Sequence, residues 1–244
     1  MKRTLFAAVC LVMSAAIPAA AEDWKYDFVL YGWLSGLEGT IGVVDVAEVP
    51  VDATFDDLAG YVDFAMAGHF EGKKTKGLWI TDVAYTNLGS ERDATVANQP
   101  VTVDMDLTQW IIEGGGGYRA TPEFDLLLVG RYYIIESGAM SSSDFGESTQ
   151  EASKDWGDIY IGARYTKVLK EKWILSLRGD IGAGGSEFAW FGDAAIGYRF
   201  SELFSAGLAW RVLSLDREGD AAEADYFKYD ITQNGLGLGL GFSF

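Results

Sequence analysis

Cysteine, histidine and proline are nearly missing from this chain: one Cys, one His and four Pro in 244 residues. The single cysteine, Cys10, falls within "MKRTLFAAVCLVMSAAIPAAAED", which has two basic residues, an apolar stretch from Leu5 to Ile17, and Ala19-Ala20-Ala21 before Glu22. That three-part pattern predicts a secretory signal peptide, residues 1–21, cleaved after Ala21. The expected mature part, residues 22–244, then has no cysteine, which excludes disulfides and thiolate metal sites. Long apolar runs are lacking too. Nothing after residue 21 reaches the ~20 residues of a spanning helix, and even "FDLLLVGRYYII" is broken by Asp125 and Arg131. Basic charge is also scarce. Without Lys2 and Arg3 the 19 basic residues become 17 against 36 acidic ones, a net charge of −19, so nucleic acid is not an expected partner.

What is present is glycine, 30 residues, and aromatic side chains, 14% of the chain. This composition suits strands, and 49% hydrophobic content argues against disorder. Period-two alternation marks ten segments, approximately 24–41, 62–73, 77–89, 101–119, 124–136, 157–168, 172–184, 188–200, 204–216 and 226–244. In the last, "LGLGLGFSF" puts Leu236, Leu238, Leu240, Phe242 and Phe244 on one side and glycines and Ser243 on the other. Connections after segments two, four, six and eight are tight ("GKKTKG", "RATPE", "VLKEK", "SEL"). Those after segments one, three, five and nine are long and polar, and only "GGSE" breaks the rule.

These features predict an all-β fold: one antiparallel up-and-down transmembrane β-barrel of about ten strands, with short periplasmic turns and longer extracellular loops. Eight or twelve strands stay open. "TFDDLAGYV" (54–62) predicts a helical turn capped by Thr54. A soluble sandwich or cup would turn its large apolar residues inward. Against that, Tyr118, Phe124, Tyr165, Trp173, Tyr198, Phe200, Phe204, Phe242 and Phe244 all lie beside tight turns on the apolar face. They read as a membrane-interface girdle.

Seven stretches carry a family resemblance: "YGWLSGLEGTIGV" (31–43), "FDDL" (55–58), "DFAMAGHFEGKK" (63–74), "DWGDIYIGARY" (155–165), "WILSLRGDIGAGG" (173–185), "AAIGYRF" (194–200) and "YDITQNGLGLGLGFSF" (229–244). Together they resemble an uncharacterised family of Gram-negative outer-membrane β-barrel proteins. The resemblance implies the cell outer membrane as location, with outer-membrane lipid and lipopolysaccharide as surroundings. The final strand, ending in Phe244, resembles the signal by which barrel-assembly machinery recognises its clients. The family carries no agreed reaction, ligand or catalytic residue, so none is transferred.

Alternation places Glu113, Arg131, Arg164, Arg178, Asp180, Asp193 and Arg211 on the inner face, with Asp82 beside them. At ~3.3 Å per residue and a tilt near 40°, they converge about 15–22 Å above the tight turns. Two readings stay open: guanidiniums forked onto carboxylates that fill the lumen, or a charged constriction selecting ions or small solutes. Lumen size favours the filled one. A hydrolase would have to use His69, the sole histidine, which lies inward and near a periplasmic turn. No catalytic residue or cofactor is assigned.

The long connections, 42–61, 89–100, 137–156, 184–188 and 216–225, hold 17 acidic and three basic residues, whereas the tight turns hold seven basic and three acidic. Solubility accounts for most such acidity. A weaker reading is divalent-cation binding at Asp216, Glu218 and Asp220, although the spacing is not that of a calcium loop. The expected role is structural or at the envelope surface. A narrow gated pore is the alternative, and an outer-membrane hydrolase the third.

Overall fold

The computed structural model describes residues 24–43, 48–96, 99–143, 146–219 and 227–244. The expected signal segment 1–21 and Asp220 lie outside the described residues. In chain order the elements are β1 (Lys25–Val43), β2 (Val49–Ala53), α1 (Phe55–Ala59), β3 (Val62–Lys73), β4 (Gly77–Val96) and β5 (Gln99–Arg119). They continue with β6 (Phe124–Ser143), β7 (Gly146–Leu169), β8 (Trp173–Gly184), β9 (Phe188–Arg199), β10 (Phe204–Glu218) and β11 (Phe227–Ser243).

From β3 onward each strand pairs antiparallel with the next, β1 pairs with β3, and β11 returns to β1 from Asp27↔Ser243 to Val43↔Phe227. The sheet therefore closes on itself with ten wall strands. The extra strand, β2, pairs only with the upper part of β1, Leu37↔Ala53 to Ile41↔Val49. No helix among the described residues is long and apolar enough to cross a membrane.

Two boundaries differ from the sequence reading. The stretches 89–100 and 137–156, expected as loops, continue as ladders to Val96↔Gln99 and Ser143↔Gly146. The ladder is made by backbone N–H and C=O groups whatever side chains they carry, so it continues where alternation fades. The other surprise is β2, whose five residues are too few to establish a period. The expected helical turn is present as α1. Thr54 caps it by accepting from Asp57 N–H, and the Asp57 carboxylate reaches back to the Thr54 N–H in a capping box. The Thr54 side chain, together with its backbone N–H, holds the Asp57 carboxyl below its ordinary value.

Outward side chains form an apolar belt. Leu128, Ile159, Ile161 and Trp210 are all more than half exposed. At the tight-turn end the belt closes in contacting rings: Trp173 on Tyr198 at 5.0 Å, Tyr198 on Phe200, Phe200 on Phe204, and Phe204 on Phe242. Phe244 packs with Tyr26 and Phe70 on the other side of the β11–β1 seam. Tyr118 stands apart under the Lys76 ammonium, and Tyr165 is half-buried. The inner face is not hollow. Leu127, Val129, Tyr133, Trp156, Tyr160, Leu213, Leu215, Phe227, Tyr229 and Ile231 are buried there. Ten strands leave a narrow lumen, and side chains fill much of it.

Candidate functional site

The lumen is built in tiers. The middle tier centres on four groups from β5, β6 and β8. Arg131 Nε donates to Glu113 at 2.6 Å and its Nη2 to Asp180 at 2.7 Å. Arg178 donates through both terminal nitrogens to Glu113 at 2.9 and 3.0 Å, and also reaches Asp180 at 2.7 Å. Two cations thus alternate with two carboxylates in a square, and the Asp180 side chain has no solvent exposure at all. Its carboxylate stands where a β-carbon on Gly162 would have to be, so only glycine leaves it room.

The second half of this tier lies across the lumen. Arg211 donates to Asp193 at 2.9 Å, directly opposite it in the β9–β10 register. Asp82 accepts from the Tyr31 hydroxyl at 2.6 Å and stands 3.2 Å from His69 Nδ1. Phe191 links the halves: its ring lies 4.3 Å from the Arg131 guanidinium, 5.3 Å from that of Arg178 and 5.6 Å from that of Arg211. The Tyr160 ring also lies 4.3 Å from the Arg131 guanidinium, so Arg131, whose Nη1 has no hydrogen-bond partner among the described residues, packs against two π systems.

Arg164, expected within the same layer, belongs to a lower one. It faces Arg178 in the β7–β8 register, and this like-charge pair is relieved because the two guanidiniums turn to different carboxylates. Arg164 forks onto Glu71, four strands away in the ring, and donates to Asp125 at 2.8 Å. Lys73 joins Glu71 at 2.7 Å to Asp27 at 3.1 Å, while Arg119 approaches Asp125 at 3.4 Å. The outcome is one chain of alternating charge from β5 to β1. Glu71, Asp125, Lys73 and Asp27 were not among the expected lumen groups. Parity does reach Asp125, which shares its face with Leu127, Val129 and Arg131. An ion pair between strands far apart in sequence leaves no such trace.

Above the middle tier the lumen turns apolar. A cavity of about 400 Å³ is lined by Leu107, Ile111, Ile135, Phe227 and Ile231, among others. Three of its polar groups bind one another: Gln233 Nε2 donates to Gln109 at 2.9 Å, and Gln109 Nε2 to the Tyr229 hydroxyl at 3.3 Å. The buried Trp33 Nε1, also in the lining, has no partner among the described residues. Asp158 is tied off by Ser186, which donates from both its N–H and its hydroxyl at 2.7 Å.

His69 and the acidic rim were the other expected sites. The His69 Nε2 lies 3.5 Å from Glu71 and its Nδ1 3.2 Å from Asp82, so a carboxylate faces each ring nitrogen. Asp216 and Glu218 are exposed on β10, and Glu218 is 3.5 Å from Lys228. No group of three or more metal-ligating side chains occurs among the described residues.

With a closed ten-strand ring, an apolar belt facing out and a ring of aromatics at one end, the class is decided. The fold is a transmembrane β-barrel. No family model matches the chain, and no curated protein matches it. Solved structures do. It is similar to the attachment invasion locus protein Ail of Yersinia pestis, with 12% identity over 91% of this chain and 99% of that one, and a TM-score of 0.34. It is similar to outer membrane protease OmpT from Escherichia coli, with 11% identity over 94% and 99% and a TM-score of 0.47. The translocator domain of autotransporter NalP from Neisseria meningitidis shares 10% identity over 98% and 94%, with a TM-score of 0.44. The likeness is one of barrel architecture and carries no activity with it.

Proposed function

We propose that this barrel resides in the outer membrane of a Gram-negative bacterium, closed along its axis, and serves the envelope through its structure and its acidic outer surface. The observation that carries this reading is the Glu113–Arg131–Asp180–Arg178 square. A conducting constriction needs charges that a passing ion can engage and leave. Here each guanidinium is already bound by carboxylates, and Arg164 with Glu71 adds a second crossing below. Lipid and lipopolysaccharide would surround the belt, and the assembly machinery would read β11. Divalent cations at Asp216, Glu218 and Asp220 remain a secondary proposal.

Single-channel recording on refolded residues 22–244 in a planar bilayer tests the closed lumen. A silent wild type is expected. Discrete openings that Arg178→Ala enlarges would overturn the reading and make the square a working filter. One observation favours that alternative: a second cavity of about 270 Å³ beside the square, lined by His69, Arg164, Arg178, Asp193, Arg211 and glycines of β11. The hydrolase reading is less well supported, because a base flanked by carboxylates at both nitrogens has none free for a nucleophile. We read His69 as a bridge between Asp82 and Glu71. His69→Ala should weaken the barrel without abolishing any loop-dependent surface binding.

A further inference from the structure

The wall is not continuous. The ladder between β1 and β3 stops at Tyr31↔Ala67, and the ladder between β1 and β2 begins at Leu37↔Ala53. Between them Gly32 to Gly36 pair only with β11, and Val62 to Met66 pair only with β4. The chain between the two ladders detours through α1 instead of running as a strand. Leu34 and Met66, on the outward-facing parity of the two flanking strands, line the same 400 Å³ cavity as Ile111 and Ile231 inside the lumen. So do Phe55 and Leu58 of α1. One lining that runs from the outer face to the interior is an opening in the wall.

The level of this opening decides what could use it. Gly32 to Gly36 lie six to ten residues beyond Tyr26 of the lower aromatic girdle. That is about 15–25 Å along the axis, in the outer part of a belt roughly 25 Å tall. The opening therefore faces the outer leaflet, while the ion-paired tiers floor the chamber below. Its rim is acidic. Residues 32–66 contain seven Asp or Glu and no Lys, Arg or His, and Glu38, Asp52, Asp56, Asp57 and Asp63 are exposed. An anionic headgroup or carboxylate would be repelled there. Lys154, which also lines the cavity, already has an interaction of its own.

We propose that the chamber binds an uncharged, mostly apolar small molecule, which enters sideways from the outer leaflet between β1 and β3 with α1 as the partial stopper. The volume falls in the range of small-molecule sites, which are apolar with a few placed polar groups. Gln109, Gln233 and Tyr229, bound to one another, provide those groups together with the Trp33 Nε1 donor, which has no partner among the described residues and suits a neutral acceptor.

The test uses refolded barrel in phosphatidylcholine nanodiscs with two fluorophores of one shape: uncharged N-phenyl-1-naphthylamine and anionic 8-anilino-1-naphthalenesulfonate. The neutral probe should bind saturably, and the anionic one about tenfold or more weakly. Ala84→Phe, and independently Leu107→Trp, add volume inside the chamber and should weaken neutral binding by about tenfold. Folding of each variant is checked by heat-modifiable migration, so that whichever folds is decisive. Phe55→Ala with Leu58→Ala removes the stopper's side chains and should speed both entry and exit several-fold, whatever change in affinity the loss of two lining side chains brings. Equal affinity for the two probes, or normal binding by a folded chamber-filling variant, would overturn the site. Entry kinetics unmoved by the α1 changes would overturn the lateral route. A conducting wild type would refute the closed axis and leave this site standing.

Discussion

Phe191 shows what one side chain can organise. Its ring lies beside three guanidiniums from β6, β8 and β10, two of which share Glu113 and Asp180 while the third binds Asp193. Without that ring the same charges would crowd an empty centre. Glu113 is its electrostatic counterpart, since it accepts from Arg131 and Arg178 at once while 4% exposed. Glu113→Gln keeps the shape and removes the charge, leaving two buried cations to share Asp180. We expect a loss of about 3–5 kcal/mol, read as an earlier midpoint in urea unfolding from detergent. A change under about 1 kcal/mol would mean that water reaches the square and screens it.

Among the elements, the β7–β8 hairpin carries an avoidable cost. Lys170 and Glu171 both sit at positive φ, +48° and +63°, and Lys172 N–H closes the turn on the Leu169 carbonyl at 3.3 Å. This is the geometry that Asn-Gly adopts with least strain. Lys170→Asn with Glu171→Gly should stabilise the barrel by about 1–2 kcal/mol, measured by the same urea transition. No gain would mean that the turn is not ordered in the membrane-bound protein. On α1 the balance is different. A capping box holds one helical turn at a place where a continuous strand would have sealed the wall, so the sequence there stabilises the interruption.

For the whole molecule, the consequence is a barrel apolar on its outer face and filled inside by ion-paired tiers beneath an apolar chamber. The tryptophans provide a direct check. Trp210, Trp173 and Trp190 are exposed on the outer face, whereas Trp156 is buried against Tyr133, Phe227 and Tyr229. In variants retaining one tryptophan each, brominated lipid should quench Trp210 several-fold more than Trp156. Comparable quenching of both would contradict the inside-out assignment.

Alternation along single strands, composition and turn chemistry were enough to read the barrel class, the ten wall strands, the outward leucines of β11 and the helical turn at Thr54. All of these are local: a side chain's face depends only on its parity, and a cap only on its neighbours. The rest depends on ring closure. Parity could say that Arg164 and Arg178 point inward, but not that they divide between two tiers, because that turns on which distant carboxylate the stagger brings within reach. The same holds for Glu71, met by Arg164 across the lumen, and for the apolar chamber, whose walls come from strands at both ends of the chain. The opening beside β1 is likewise invisible in sequence, since it is a missing pairing between two strands that each read as continuous. Periodicity records which way a residue points; only the closed ring determines what it meets there.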